Sequence, residues 1–509
     1  MTTRRTVQKG TDWMLGRALE ILDATTIELT DKSSHVLNGA MIGAFVFGQK
    51  ETSGKMVVDL EGRFCLHTDK RVRDLTFETT ADLYGELART MRSFQPTTIG
   101  IIIGNGVNIV PTAVGVSLAL FEPEDFKTDL TAYAGPKDVY IVIADDSSIA
   151  SYEMGSFAWW FKRGLQIGGL CNLQRWLGAL PCQDDYLNAN NYNELVQGLV
   201  KSFDGEVLYP SIEEYDRMGL MNAVSAAIGD EWMGFVPAFI VHPLSGATSE
   251  IDVFVGKGLT YDTGGVQDKG EHMPGMMLDM MGSAAVLCAG LDALQNPKGL
   301  KKTTVFVLGI TENRDGSMAY LPNSVLTAFN GKTVEVTHTD AEGRLVLADA
   351  MAWICKRMKS MVDEGASRVT RVVTIATLTG SAANALSTPY TAMFVKGDDQ
   401  EVLTNLRRLG ETCGDLVWPM PMSHPHYGAQ MAGDRSDLRN TGKIKEGGAS
   451  QAAAFLANFL PEGYEGEYLH LDIAGSTDIG MKGNKATASG LPQDAGVRFL
   501  IELMRNNEA

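Results

Sequence analysis

Two short segments concentrate side chains of the kinds that hold divalent cations and activate water. The first, VGKGLTYDTGGVQDKGEHMPGMMLDMMGSAA at 255–285, presents Lys257, Asp262, Lys269 and Asp279 where a strand is expected to end and a glycine-rich loop to begin. The second, HTDAEGRLVLADA at 338–350, places Asp340, Glu342 and Arg344 just after an expected strand, with a helix beginning near Gly343. In extended backbone, residues i and i+2 point the same way, so an extended 340–344 segment would put these three side chains on one face. Four carboxylates sharing a pocket repel one another unless cations sit among them. Oxygen-rich donors of this kind suit hard divalent ions, and two ions about 3.5–4 Å apart, bridged by carboxylates, would satisfy the set. A lysine amine joins such a set only when neutral, which requires its pKa to fall from about 10.4 under the push of nearby metal charge.

The hydrophobic pattern indicates what positions these residues. Segments 40–47, 55–60, 98–103 and 138–144 read as strands and 81–93 as a helix, an α/β rhythm. The Asp- and Asn-rich stretch CQDDYLNANNYNEL at 182–195 interrupts it and marks a boundary or connecting helix between about 165 and 200. Beyond it, segments 238–242, 251–255, 304–308, 333–337 and 371–376 read as buried strands, each followed by a loop or helix. The expected fold class is α/β with two domains: a smaller N-terminal α/β domain with connecting helix (1–185) and a larger C-terminal α/β/α catalytic domain with a mostly parallel sheet (186–509). Ligands of such sheets sit beyond the carboxyl ends of the strands, where the unusual residues of this chain fall.

With those residues in place, a resemblance can be stated. HTDAEGRL at 338–345 matches the N-T-D-A-E-G-R-L signature of the leucyl aminopeptidase family at seven of eight positions, and VGKGLTYDTGG at 255–265 resembles its V-G-K-G-x-T-[FY]-D-[ST]-G-G element. The similarity runs over roughly 195–509, through ATLTGS at 376–381, SDLRN at 436–440 and HLDIAGS at 470–476. The resemblance implies a two-metal aminopeptidase acting on peptides with a free N-terminus, Leu or other apolar residues preferred. It implies that Lys257 and Asp279 bind the tighter metal, Asp340 the more exchangeable one, and that Asp262 and Glu342 bridge both. Lys269 and Arg344 would be the catalytic pair outside the ligand set, with bicarbonate near Arg344, and Met276, Thr377, Leu378 and Gly380 would line the side-chain pocket. The metals implied are Zn²⁺ or Mn²⁺, with Co²⁺ or Mg²⁺ as alternatives, and the assembly implied is a homohexamer. Departures from the family pattern are His338, Thr263, Met281, Ser283 and the pair Gln267–Asp268. A carboxylate at Asp268 is expected to raise the pKa of Lys269 or alter its aim.

Composition bounds the alternatives. The formal net charge of −18 repels phosphate backbones and anionic lipid, so nucleic acid and membrane surfaces are not expected as partners. Six cysteines without a C-x-x-C pair signal neither a disulfide framework nor a zinc ribbon. No secretory-type apolar run follows the start, and no stretch is expected to reach the ~20 apolar residues of a membrane span, which points to the cytoplasm. There is no H-E-x-x-H, and Gly104–Asn105–Gly106 lacks the third glycine of a dinucleotide fingerprint. A catalytically weak binding protein of the same fold is the rival reading.

Overall fold

The computed structural model describes residues 10–22, 27–30, 41–47, 56–58, 64–68, 74–92, 98–103, 107–121, 138–143, 154–182, 185–229, 234–362, 368–477 and 492–506. Contacts group the chain into two compact units, one chiefly of residues 17–173 and the other chiefly of 174–479 and 492–509. The Gly104–Gly106 turn lies outside the described residues.

In the first unit, six strands form one sheet: β1 (Ile27–Thr30), β2 (Met41–Phe47), β3 (Met56–Val58), β4 (Phe64–Thr68), β5 (Thr98–Ile103) and β6 (Asp138–Ile143). Their order is β1-β6-β5-β2-β4-β3, and every pair is parallel except β3 with β4. The expected helix at 81–93 begins instead at Phe77 and runs to Arg92. Thr76 explains the earlier start, because its hydroxyl accepts from the Thr79 N–H while the Thr79 hydroxyl accepts from the Thr76 N–H. That reciprocal cap satisfies donors a helix start leaves free.

The second unit contains β7 (Val207–Leu208), β8 (Ala238–Val241), β9 (Glu250–Asp262), β10 (Thr303–Asn313), β11 (Val325–Thr327), β12 (Thr333–Glu335), β13 (Arg368–Ala376), β14 (Thr391–Val395), β15 (Val417–Pro419), β16 (Leu438–Arg439) and β17 (Glu467–Asp472). Eight of them form the main sheet in the order β15-β14-β17-β13-β9-β10-β8-β7. The central run β17-β13-β9-β10 is parallel throughout. The segment expected as a main-sheet strand at 333–337 is β12, which joins β11 and β16 in a separate three-stranded sheet. A second correction concerns the glycine-rich stretch after Val255. It does not loop out: β9 continues to Asp262 and is buried along nearly its whole length. Glycine here serves close packing, since a Cβ on Gly256 would lie 2.5 Å from the Ser283 Cα and one on Gly282 2.3 Å from the Ile375 carbonyl oxygen. Without those side chains the Met281–Gln295 helix settles directly onto β9 and β13.

The crossover from β9 through the Met281–Gln295 helix leads to β10, whereas the path from β10 through the Gly343–Val362 helix returns to β13 on the other side of β9. Right-handed connections running in opposite directions place the two helices on opposite faces and open a crevice at the carboxyl end of β9. Among the described residues one composite helical stretch, Gly270–Gln295, has the length of a membrane span and an 18-residue window of mean hydropathy 1.5, contrary to the sequence expectation, but 89% of that window is buried inside the fold. Its apolarity is that of the Met281–Gln295 core helix, which is buried from Met281 to Ala293. Among the described cysteines none is in a disulfide: Cys171, Cys288, Cys355 and Cys413 are buried and Cys182 is partly buried.

On β17, His470 is fully buried, paired with the Thr374 hydroxyl at 2.9 Å and stacked on Phe394. Burial, reinforced by the Arg344 charge, pushes its pKa down to about 3. The folded protein therefore holds this imidazole neutral while the unfolded chain takes up a proton near pH 6.5, so its stabilising contribution is complete above pH 6.5 and is lost as pH falls toward 3. Urea denaturation should show about 2 kcal/mol of stability lost to this group between pH 6.5 and 5, and His470→Gln should flatten that slope.

Candidate active site

Lys257 and Asp262 stand on β9 itself, Lys269 on the turn after it, Asp279 at the end of the short Gly270–Leu278 helical segment, and Asp340 and Glu342 ahead of the Gly343–Val362 helix. These six meet at the crevice. Lys257 Nζ lies 2.6 Å from Asp279 Oδ2 and 3.0 Å from Glu342 Oε1. Lys269 Nζ lies 2.6 Å from Asp262 Oδ2 and also contacts Asp340 Oδ1. Asp262, Asp340 and Glu342 each offer a carboxylate oxygen within 4.8 Å of the others. The convergence does not come from extended alternation as the sequence suggested: residues 339–340 form a turn and Arg344 lies in the first turn of the helix.

The cluster is electrically unbalanced. Four carboxylates face two ammonium groups, leaving about two negative charges uncompensated in a buried place, a costly state without further cations. Burial works against the charge on Lys257, but Asp279, Glu342 and Asp262 outweigh it and raise its pKa. Lys269 behaves likewise under Glu342, Asp262, Asp279 and Asp340. Asp268, expected to perturb Lys269, turns its carboxylate to the Gly270 N–H at 2.5 Å. Burial also opposes ionisation of Glu342, yet the two lysines hold it down at about 2, whereas Asp262 is driven upward by burial together with Glu342 and Asp279. Glu342 Oε2 is buried without a partner, and Asp262 Oδ2, Asp279 Oδ2 and Asp340 Oδ1 are buried with only a lysine ammonium against them. Such oxygens fit divalent cations, and a cation there would take over the neutralising role the lysines now fill.

Arg344 is buried and forms no ion pair among the described residues; its Nη1 donates to the Asn440 carbonyl at 2.8 Å and its Nε is unpartnered. Burial pulls its pKa down to about 10 against the pull of Glu342, Asp472 and Asp340, so it stays cationic at neutral pH. A buried guanidinium with a spare donor can receive an anion. Among the residues expected to line a side-chain pocket, Thr377 binds into the cluster: its hydroxyl donates to Asp279 Oδ1 at 2.7 Å and its carbonyl accepts from Lys257 Nζ at 2.9 Å. Leu378 N–H donates to Asp472 Oδ1, and Gly380 opens the Gly380–Leu386 helix. Met276 is partly buried on the Gly270–Leu278 segment, its carbonyl accepting from the Asp279 N–H.

Several supports have no motif in the sequence. Asn313 donates to Asp262 Oδ1 at 2.7 Å and to the Thr339 carbonyl, and Tyr320 donates to the same carbonyl. Gln267 ties the Lys269 turn to the Asp340 turn, because Gln267 Oε1 accepts from the Thr339 N–H at 2.8 Å while the Gln267 N–H donates to the Thr339 hydroxyl at 3.1 Å. His338 Nδ1 accepts from the Asp340 N–H at 3.2 Å, a turn-stabilising role. Gly343 is required by its neighbour, since a Cβ there would lie 2.6 Å from Lys257 Cε.

The geometry can be set beside known proteins. The catalytic-domain profile of the cytosol aminopeptidase family matches residues 175–501, which include every residue of the cluster. A probable cytosol aminopeptidase of Alkaliphilus oremlandii is 30% identical over 448 residues, 86% of this chain and 83% of the relative. The chain belongs to the cytosol aminopeptidase family. A probable cytosol aminopeptidase of Mycoplasma pneumoniae is 41% identical over 233 residues, 46% of this chain, and there the match spans about half the relative's length (48%). Among solved structures, leucyl aminopeptidase from Leishmania major in complex with actinonin shares the fold, with a TM-score of 0.77 at 19% identity over 99% of both chains.

Replacing Gln267 by Ala strips the Thr339 N–H of its acceptor and should cost about 1–2 kcal/mol. Gln267→Ala and Thr339→Ala combined should destabilise by less than the sum of the single changes in urea titrations, since each removes one of the two hydrogen bonds of the same bracket and loosens the other.

Proposed function

We propose that this chain is a two-metal aminopeptidase that removes the N-terminal residue from peptides, with Leu or other apolar residues preferred. The observation that carries the reading is the buried excess of carboxylate over ammonium charge, with Glu342 Oε2 unpartnered and three further carboxylate oxygens met only by a lysine ammonium. Lys257 and Asp279 would hold one ion, Asp340 the other, and Asp262 and Glu342 would bridge. Two divalent ions, Zn²⁺ or Mn²⁺ with Co²⁺ or Mg²⁺ as alternatives, would supply Lewis-acid polarisation of the scissile carbonyl and an attacking water made acidic near neutral pH.

The chain's own residues then have defined tasks. Lys257 would serve as a ligand in its neutral form, and loss of its proton to solvent would be favoured once cations replaced it as partner of Asp279 and Glu342. Lys269, freed from Asp262 and Asp340 in the same way, donates to the oxygen that gains negative charge as the carbonyl becomes tetrahedral. Arg344 offers its unpartnered Nε to an anion, bicarbonate in this reading, that accepts the proton of the attacking water. A free α-amine is needed as a donor to the site, so an acylated N-terminus is refused. Met276 with Thr377, Leu378 and Gly380 would bound the pocket for the departing residue's side chain, where one methylene changes selectivity by only about 1–3 kcal/mol. Assembly as a homohexamer and residence in the cytoplasm complete the proposal, neither nucleic acid nor membrane being a partner.

Chelator-stripped protein given back Mn²⁺, Zn²⁺, Co²⁺ or Mg²⁺ is expected to release leucine from an unblocked leucyl amide and to leave the N-acetylated amide intact. Silence with every metal in folded protein would instead favour a binding protein of the same fold. In the restored enzyme, Lys269→Met should lower kcat by about 10²–10³ with KM little changed, the signature of a lost transition-state donor. Light scattering of the same preparation tests the hexamer.

A further inference from the structure

A second feature of the catalytic unit lies away from the carboxylate cluster. At the far end of the Gly343–Val362 helix is a cavity of about 520 Å³ whose walls carry Arg217, Lys332, Lys356 and Lys359 and a single acid, Glu462. Its size falls in the range of small-molecule sites. At about 1.5 Å of rise per residue, Lys356 stands roughly 18 Å along the helix from Arg344, so the two sites are separate.

Two of the cations, Arg217 and Lys356, are held in place although their side chains are exposed. Arg217 lies over the Phe329 ring with its guanidinium carbon 4.7 Å from the centroid, and Lys356 Nζ lies 5.6 Å from the same centroid. Phe329 is itself buried, so it acts as a fixed floor that draws both heads to one place by cation–π attraction. Arg217 Nη2 is further pinned by the Phe329 carbonyl at 3.1 Å. Among the described residues none of the four cations forms an ion pair, although Asp437 lies within electrostatic reach of Lys332. In a chain of net charge −18, four gathered cations around a cavity whose walls carry one acid leave a local positive potential that an anion would relieve.

We propose that this cavity binds a small phosphorylated molecule carrying two anionic groups, held by Arg217 and Lys356 over the Phe329 floor and by Lys332 and Lys359 at its rim. Two anionic groups match the spread of four donors better than one, and Arg217 presents the planar fork that grips phosphate oxygens. The site is independent of the aminopeptidase reading and uses none of its residues.

The test is isothermal titration calorimetry on full-length, metal-loaded protein with glucose 1,6-bisphosphate and, separately, inorganic phosphate. The bisphosphate should bind at one site per chain, more tightly than phosphate, and more weakly as salt is raised. Lys356→Gln with Lys359→Gln should weaken it by at least about tenfold. The charge-matched pair Lys298→Gln with Lys301→Gln, exposed and outside the cavity, should leave it nearly unchanged. Glu342→Ala, which disables the proposed metal site, should also leave it nearly unchanged, so failure of the peptidase reading would not be confused with failure of this one. No binding of either probe, equal weakening by the control pair, or loss of binding in Glu342→Ala would overturn the proposal.

Discussion

Everything about the catalytic unit turns on how four carboxylates are kept together out of water. Asp262, Asp279, Asp340 and Glu342 come from three stretches of chain and would drive one another apart in an apolar interior. Lys257 and Lys269 neutralise half of the charge, each bridging two acids. The remaining imbalance is tolerated because the surrounding structure is rigid: Asp262 is gripped by Asn313 and by the Gly264 N–H, and Asp279 by Thr377. Preorganisation of this kind is what a metal-dependent hydrolase requires, since the donors need not rearrange when cations enter.

The sheet explains why that rigidity is available. β9 is central, parallel to both neighbours and buried on both faces, so Lys257 and Asp262 sit on one of the least mobile elements of the molecule. The glycines at 256, 282 and 343 let a helix, a strand and a lysine stem pass at distances that any side chain would forbid. Close approach on both faces of β9 brings the start of one helix to Asp279 and the start of the other to Glu342. The crevice between them is where crossovers of opposite direction diverge.

The loops add a second level of fixing. Gln267 and Thr339 bracket the Lys269 turn against the Asp340 turn, while Tyr320 and Asn313 hold the Thr339 carbonyl. The substitution pattern at Gln267–Asp268 and His338, which departs from the family signature, thus has structural work in this chain. Gln267 joins two turns, Asp268 closes its own turn on Gly270, and His338 supports the Asp340 backbone.

How much of this was legible in the sequence follows from range. Residue types and spacing within 255–285 and 338–350 were sufficient to nominate all seven ionisable residues, because the chemistry of a carboxylate or lysine is intrinsic and motifs are local. The α/β class and most central strands were likewise readable from apolar runs. What the sequence could not decide was anything set by contact across the fold. Gly256 and Gly258 suggested a loop, since the same residue serves turns and tight packing, and only the neighbouring helix distinguishes the two uses. The alternation of Asp340, Glu342 and Arg344 suggested a strand, but the helix start at Gly343 wins locally and tertiary packing, not strand geometry, makes them converge. Segment 333–337 looked like its buried counterparts, yet its hydrogen-bonding partners, β11 and β16, put it in another sheet. Asn313, Tyr320 and the Phe329 floor are ordinary residue types at ordinary spacing, and Gln267 and Asn440 are marked only by comparison with the family pattern. Their roles exist only because the tertiary structure delivers a donor or a ring to a partner far away in sequence.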